Sequence, residues 1–314
     1  MSPAPSRIRA PQRADLAAIL ELLNACDVAE TGRPDTTADD VTGDWDLPGF
    51  ELARDAWLAE AGEGRVVGYA YTGDQLRAGE LEADVWVHPG HEEPELARRL
   101  LGLAERRARQ IAVGRGYAAP ALDVFCINSN AAKRDLLRER GFALRRTVIR
   151  MAVDLEATPP PEPVMPAGVE LRAFRPGDDD HAMYETMVEA FADHYRLSDE
   201  PFQAWRERLV GSEAFDPGLW ALAWAGEEPA GGVIAYDQPD LGWIQGLGVR
   251  RPWRGRGVGG ALLAHAFAAF ARRGQPRVEL AVDAEGETRP LRVYERAGMS
   301  STHEYGLYEK PLAG

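Results

Sequence analysis

The chain has 314 residues, 45% of them hydrophobic and 27% charged, the composition of a globular protein long enough for two domains. No apolar run approaches the ~20 residues of a membrane span, and a formal charge of −14 argues against nucleic acid or an anionic membrane as partner. Cys26 and Cys126 are too few for a disulfide framework and lack metal-ligand spacing, so no metal site is expected.

Met1 to Arg13 holds prolines and arginines without a hydrophobic centre, which predicts no signal peptide and a cytoplasmic compartment. Ile8-Arg9-Ala10, followed by Asp15, reads as a strand leading into a helix. Val85 to Val87 reads as a strand and Leu96 to Arg109 as a helix, with Leu96, Leu100 and Leu103 at helical spacing. Leu122 to Phe125 is a further strand, and Gly141-Phe142 closes a further helix. Pro159, Pro160, Pro161 and Pro163 then interrupt the pattern; they fit neither a helix nor a central strand and favour an extended spacer. This predicts one domain over 1–157, a linker over 158–167 and a second domain over 168–314.

The second half repeats the first. Leu171-Arg172-Ala173 with Asp178 matches the opening strand and helix. Leu219 to Trp224 and Gly231 to Tyr236 read as strands joined by the turn Gly226-Glu227-Glu228-Pro229, and Trp243 to Val249 continues the meander. After a glycine-rich turn, Ala261 to Phe270 reads as a helix whose Leu262, Ala266 and Phe270 form one stripe, ended by Arg272-Arg273-Gly274. Val278 to Val282 is a strand, and Leu291 to Met299 a short helix closing on Gly298-Met299. Val87 to Leu101 and Val249 to Leu263 both span 14 residues, which sets the register of the repeat.

The turn Arg254-Gly255-Arg256-Gly257-Val258-Gly259-Gly260 carries most of the chemistry. A glycine turn opening a helix leaves backbone N–H groups without intrahelical partners, and the helix dipole adds partial positive charge. Its glycines let a bulky anion approach the backbone, and Arg254 and Arg256 can add charge-assisted contacts. This predicts a diphosphate cradle. Gly255, Gly257 and Gly260 also match a dinucleotide fingerprint, with Asp283 lying 23 residues beyond. Against that, Arg250-Arg251-Pro252-Trp253-Arg254 separates the strand from the glycines, and only 54 residues follow Gly260. A Walker loop fails because no Lys-Ser or Lys-Thr follows.

Together with Leu291-Arg292-Val293-Tyr294-Glu295-Arg296-Ala297-Gly298-Met299, the turn resembles the GNAT N-acetyltransferase superfamily. Arg254, Gly257 and Gly259 match the family's Arg/Gln-x-x-Gly-x-Gly/Ala loop, and Tyr294 its tyrosine before Gly-Phe or Gly-Met. The resemblance covers about residues 168 to 312, and the two-copy arrangement resembles the tandem-domain type of mycothiol synthase. It implies an α/β fold of two tandem GNAT-like domains, each a mostly antiparallel central sheet flanked by helices and opened between two strands. It further implies acetyl-CoA as co-substrate, with Leu247, Gly248 and Val249 pairing with the pantetheine arm and Arg254 to Gly260 (Gly255, Arg256, Gly257, Val258, Gly259) holding the diphosphate. Tyr294 would be the general acid for the departing thiolate; the other reading is a tyrosine half-buried on a helix face.

The repeat register sets Glu92-Glu93-Pro94-Glu95 against the cradle and Leu137 against Tyr294, so the first domain is expected to lack a competent acetyl-CoA loop. Asn130 remains where the family often has an asparagine, whereas Gly286 replaces it in the second half. Some family members carry a glutamate base on the strand before the loop; Trp243 stands there instead. Asp237, Asp240, Glu279 and the Asp193-His194-Tyr195 cluster remain as bases, and His194 has the most suitable unperturbed pKa. His265 reads as packing or solvated. The resemblance therefore implies direct transfer of an acetyl group to a primary amine of a small molecule. The acidic surface favours a cationic one, although acidic surfaces also serve solubility. The alternatives are a non-catalytic acyl-CoA sensor and an antibiotic-modifying self-resistance enzyme. The acceptor, the base and the oligomeric state stay open.

Overall fold

The computed structural model describes residues 6–74, 80–91, 93–192, 200–285 and 291–312. The chain divides into two compact units, residues 1–147 with 304–314 and residues 148–303. The first half contains β1 (Arg7–Arg9), α1 (Leu16–Thr31), α2 (Ala38–Trp45), α3 (Leu52–Asp55), β2 (Ala56–Glu60), β3 (Val66–Gly73) and β4 (Glu80–Val87). It continues with α4 (Pro94–Arg115), β5 (Ala121–Ile127), α5 (Ala131–Glu139) and β6 (Ala143–Asp154). The second half contains β7 (Glu170–Ala173), α6 (Asp180–Ala190), α7 (Phe202–Leu209), β8 (Ala221–Ala225), β9 (Glu228–Asp237) and β10 (Gly242–Val249). It ends with α8 (Val258–Arg272), β11 (Arg277–Asp283), α9 (Leu291–Arg296) and β12 (Ser300–Pro311).

The units divide elsewhere than the prolines suggest. The chain changes units inside β6 and returns inside β12. A long strand can do this because each part of its backbone satisfies its hydrogen bonds locally. Residues 148–154 of β6 pair with β11, while 305–311 of β12 pair with β5. The proline segment connects β6 to β7 and lies within the second unit.

Strand order is β1-β2-β3-β4-β5-β12 in the first unit and β6-β11-β10-β9-β8-β7 in the second. Within each order one neighbouring pair is parallel, β4 with β5 and β10 with β11. Each parallel pair holds for three residues, Glu80–Glu82 against Ala121–Asp123 and Gly242–Ile244 against Val278–Leu280. Beyond that the strands part while β4 and β10 stay paired to β3 and β9. The same opening thus occurs in both units.

Side-chain alternation places helices on both faces of the second sheet. A Cβ on Gly232 would meet Met183 of α6, and one on Gly231 would meet Val258 and Leu262 of α8. The predicted stripe of Leu262, Ala266 and Phe270 is fully buried. Helix α8 stops where expected: Gly274 adopts φ 79, with Gln275 N donating to the Phe270 carbonyl at 3.1 Å. In the first unit Leu96, Leu100 and Leu101 of α4 pack with Leu81, Ala83 and Val85, while Ile19, Leu22 and Leu23 of α1 pack with Leu58, Tyr69 and Tyr71.

Candidate active site in the second unit

The site begins at an irregularity that composition does not reveal. Strand β10 carries one extra residue relative to β9 between Ile244 and Gly246. Ahead of it, Gly242 faces Phe270 of α8; after it, Gly248 faces Met187 and Ala190 of α6, so Leu247 and Val249 face α8. An extra residue shifts the side-chain period by one, and bulges of this kind re-aim strands at binding sites. Gly248 is required by the close approach of α6, since a Cβ there would lie 2.8 Å from the Ala190 Cβ.

Backbone direction follows from one hydrogen bond. Arg250 N donates to the Ala230 carbonyl at 3.0 Å, so Arg250 and Gly248 turn their polar groups toward β9. Leu247 and Val249 then turn theirs toward the side from which β11 has departed. The opened edge therefore exposes backbone groups able to pair with an extended amide-bearing ligand.

The cradle follows at the end of that edge. Gly257 is the N-cap of α8 with φ 94, and Gly255 has φ 74, values that favour glycine. The first helical bond runs from Ala261 N to the Gly257 carbonyl at 3.1 Å. The amides of Val258, Gly259 and Gly260 thus have no intrahelical acceptor. Val258 is fully buried and anchors the turn to the core. A Cβ built on Gly255, Gly257 or Gly260 would meet nothing within 4 Å, so the glycines border open space. A diphosphate fits both the donors and the room. One on Gly259 would instead sit at ordinary contact distance from Val249, Leu247 and Val293, which places α9 beside the cradle.

The arginines serve differently from one another. Arg254 donates from Nε to the Val249 carbonyl at 3.1 Å and from Nη2 to the Ala190 carbonyl at 3.0 Å. Sequence reasoning gave it a phosphate contact; two of its donors are on backbone carbonyls. Arg256 stacks on Trp253, 5.0 Å from the ring centroid.

Tyr294 is buried on α9, and burial pushes its hydroxyl up to about 12. Among the described residues no group hydrogen-bonds to that hydroxyl. Gly298 ends α9 at φ 90, with Met299 N donating to the Tyr294 carbonyl at 3.0 Å.

The remaining candidates separate. His194, with Asp193 and Tyr195, lies outside the described residues, as does Gly286. Glu279 is fully buried and held by Arg150 and Arg277, each at 2.5 Å, so it is not disposed to take a proton from a substrate. Asp237 accepts from Gln275 at 2.6 Å. Trp243 donates to the Gln245 side-chain oxygen at 2.8 Å and carries the Arg150 guanidinium 5.1 Å above its ring. His265 is half-buried in α8, and burial lowers its pKa. The bulge, the carbonyl partners of Arg254 and the locked state of Glu279 have no local sequence signal.

The first unit has the same frame with different contents. His88 N donates to the Val67 carbonyl at 2.9 Å, as Arg250 N does to Ala230, and Phe142 N donates to the Leu137 carbonyl at 2.9 Å, as Met299 N does to Tyr294. Leu137 therefore stands in the place of Tyr294. Where the cradle would be, the Glu93 carboxylate accepts from Ser6 N at 2.9 Å and Arg99 at 2.6 Å, beside His91 at 3.4 Å. Burial alone would raise its pKa, but these partners hold the carboxyl at about 2. In the opened cleft Lys133 of α5 pairs with Asp84 of β4, and Asn130 donates to Glu30 at 2.6 Å. A cavity of about 660 Å³ persists there, lined in part by Trp86, Asn130 and Lys133.

Comparison with known proteins gives the family. The Acetyltransferase (GNAT) family model matches residues 181–299. A mycothiol acetyltransferase of Streptomyces scabiei is 34% identical over 237 residues, covering 74% of this chain and 72% of its own. One from Geodermatophilus obscurus is 30% identical over 296 residues, covering 91% of each chain. Among solved structures, a GCN5-related N-acetyltransferase from Sphaerobacter thermophilus superposes with a TM-score of 0.87 at 34% identity, covering 100% of this chain and 98% of that one. A tandem GNAT protein from the clavulanic acid biosynthesis pathway shares the fold, with a TM-score of 0.70 at 18% identity and coverage of 98% and 99%. The chain belongs to the GNAT acetyltransferase family, in its tandem form.

Proposed function

We propose that the second unit moves the acetyl group of acetyl-CoA directly to a primary amine of a small molecule, within a ternary complex. The observation that carries this reading is the juxtaposition of an opened β10 edge, a bare amide turn and Tyr294 beside it, with all three altered or filled in the first unit. The Val258, Gly259 and Gly260 amides would hold the diphosphate, and the Leu247 and Val249 edge would pair with the pantetheine arm. An edge N–H would also face the thioester oxygen as negative charge develops there, a contact commonly worth about 10²–10³ in rate.

Tyr294 would protonate the departing sulfur. A thiolate near pKa 8.5 and a phenol at about 12 make full transfer uphill. The phenol therefore acts by donating a hydrogen bond that strengthens as charge reaches the sulfur, with the proton following late. His194 is the candidate base for the attacking amine; Trp243 leaves β10 without a carboxylate in the position where some relatives carry one.

The first unit, in this reading, takes no acetyl-CoA. Glu93 puts a pinned negative charge where a diphosphate would lie, and the Asp84–Lys133 pair sits in the cleft where the pantetheine arm would run. The relatives named mycothiol acetyltransferase make the deacetylated precursor of mycothiol the first acceptor to try, followed by amino sugars and polyamines. Thiol release from acetyl-CoA is measured with each. Acceptor-dependent release is expected for at least one amine; slow hydrolysis alone across the panel would favour an acyl-CoA sensor.

A further inference from the structure

The cradle presents a mechanical difficulty. Among the described residues Gly255 and Gly257 have no neighbour within 4 Å of a built Cβ, so packing anchors the turn at Val258 and Gly259 but not at these two glycines. Glycine loses the most conformational freedom on ordering. Val258 holds the inner end of the turn; its outer end is set from the stalk, residues 250–254, which is tied to the C-terminal end of α6. The Glu189 carboxylate accepts from Arg250 Nε at 2.5 Å and from Arg251 N at 3.1 Å. The Ala190 carbonyl accepts from Arg254 Nη2, whose Nε holds the Val249 carbonyl. Arg250 Nη1 adds a bond to the Pro229 carbonyl at 3.2 Å.

We propose that Arg254 and Glu189 are positioning residues for the diphosphate turn, acting through the backbone and not on the phosphates. A helix C-terminus offers carbonyls without intrahelical partners and partial negative charge, which suits a guanidinium. The planar fork of arginine spans Ala190 and Val249 at once; a lysine ammonium is a point charge and cannot reproduce that geometry. Glu189 fixes the Arg250 side chain and the Arg251 amide. Three bonds thereby connect α6 to a stalk that leads into the glycines.

This inference rests on the reading of the second unit as the acetyl-CoA site, and the sign of one effect separates it from simple electrostatics. If the stalk arginines only attract the diphosphate, removing the nearby Glu189 charge strengthens binding. If Glu189 positions the turn, removing it weakens binding. Calorimetric titration of the full chain with CoA is expected to show Glu189→Gln binding about tenfold more weakly, roughly the worth of one charge-assisted hydrogen bond. Arg254→Lys is expected to bind as weakly as Arg254→Gln. Unchanged or tighter binding by Glu189→Gln, or wild-type affinity in Arg254→Lys, would overturn the clamp and make Arg254 a direct charge partner. A wild-type chain that binds no CoA overturns the acetyl-CoA reading along with the clamp. Should the Arg254 variants fail to fold, Glu189→Gln alone decides.

Discussion

Tyr294 and Leu137 occupy the same position in two helix ends closed by the same hydrogen bond, one from Met299 N and one from Phe142 N. The repeat thus contains its own control: the frame survives in both units, while the phenol is present in one. Removing only the hydroxyl isolates its contribution. Tyr294→Phe is expected to lower acetyl-transfer turnover by at least about tenfold, against the roughly 10²–10⁴ of a fully effective positioned acid, with CoA affinity near wild type. The pH dependence follows from the raised pKa. A phenol at about 12 stays protonated wherever the reference phenol near 10 would begin to ionise. Deprotonation of Tyr294 therefore produces no falling limb below about pH 10, and the rising limb belongs to the amine and its base. A falling limb between pH 8 and 10 that disappears in Tyr294→Phe would contradict a buried phenol with no hydrogen-bond partner among the described residues.

Elements impose a different kind of constraint, because glycines in β10 and at the start of α8 have different neighbours. A Cβ on Gly248 would be 2.8 Å from the Ala190 Cβ and 3.0 Å from the Met187 sulfur. Gly248→Ala is therefore expected to destabilise the fold by about 1–3 kcal/mol, the usual penalty for overpacking. Gly259→Ala meets Val249 at 3.4 Å, an ordinary contact, and gains helix propensity. Chemical denaturation should show little change, or a small gain, for the second variant. A comparable loss in both would mean that α6 and α8 approach β10 with similar tolerance, against the distances found.

For the whole molecule, tandem units raise the question of how many cofactor molecules one chain holds. The pinned Glu93 carboxylate stands at the start of α4, where the cradle would be, and Lys133, paired with Asp84, lines the first cleft. Titration with acetyl-CoA is expected to give one site per chain. Two equivalent sites would reject the division of labour, whatever the activity of the second unit. The exchange of strands within β6 and β12 also means that each unit needs residues from beyond the proline segment: 304–314 complete the first, and 148–154 of β6 belong to the second.

Much of this was legible in the residues. Glycine turns, the helical stripe of Leu262, Ala266 and Phe270, and the Gly298 stop are local features, decided by backbone sterics and apolar spacing over a few residues. They suffice to mark the glycine turn that opens α8, the tyrosine helix and the repeat, including the replacement of Tyr294 by Leu137. Other features depend on groups far apart in sequence. The exchange at β6 and β12 depends on which distant strand completes each sheet. The bulge at Gln245 depends on the register of β9, and the bonds of Arg254 to Ala190 on where α6 ends, 64 residues away. Local chemistry determined that an anion could be held near Gly257. Only tertiary packing decided which carbonyls and carboxylates hold that turn in shape, because hydrogen bonds between distant segments leave no periodic trace in the chain.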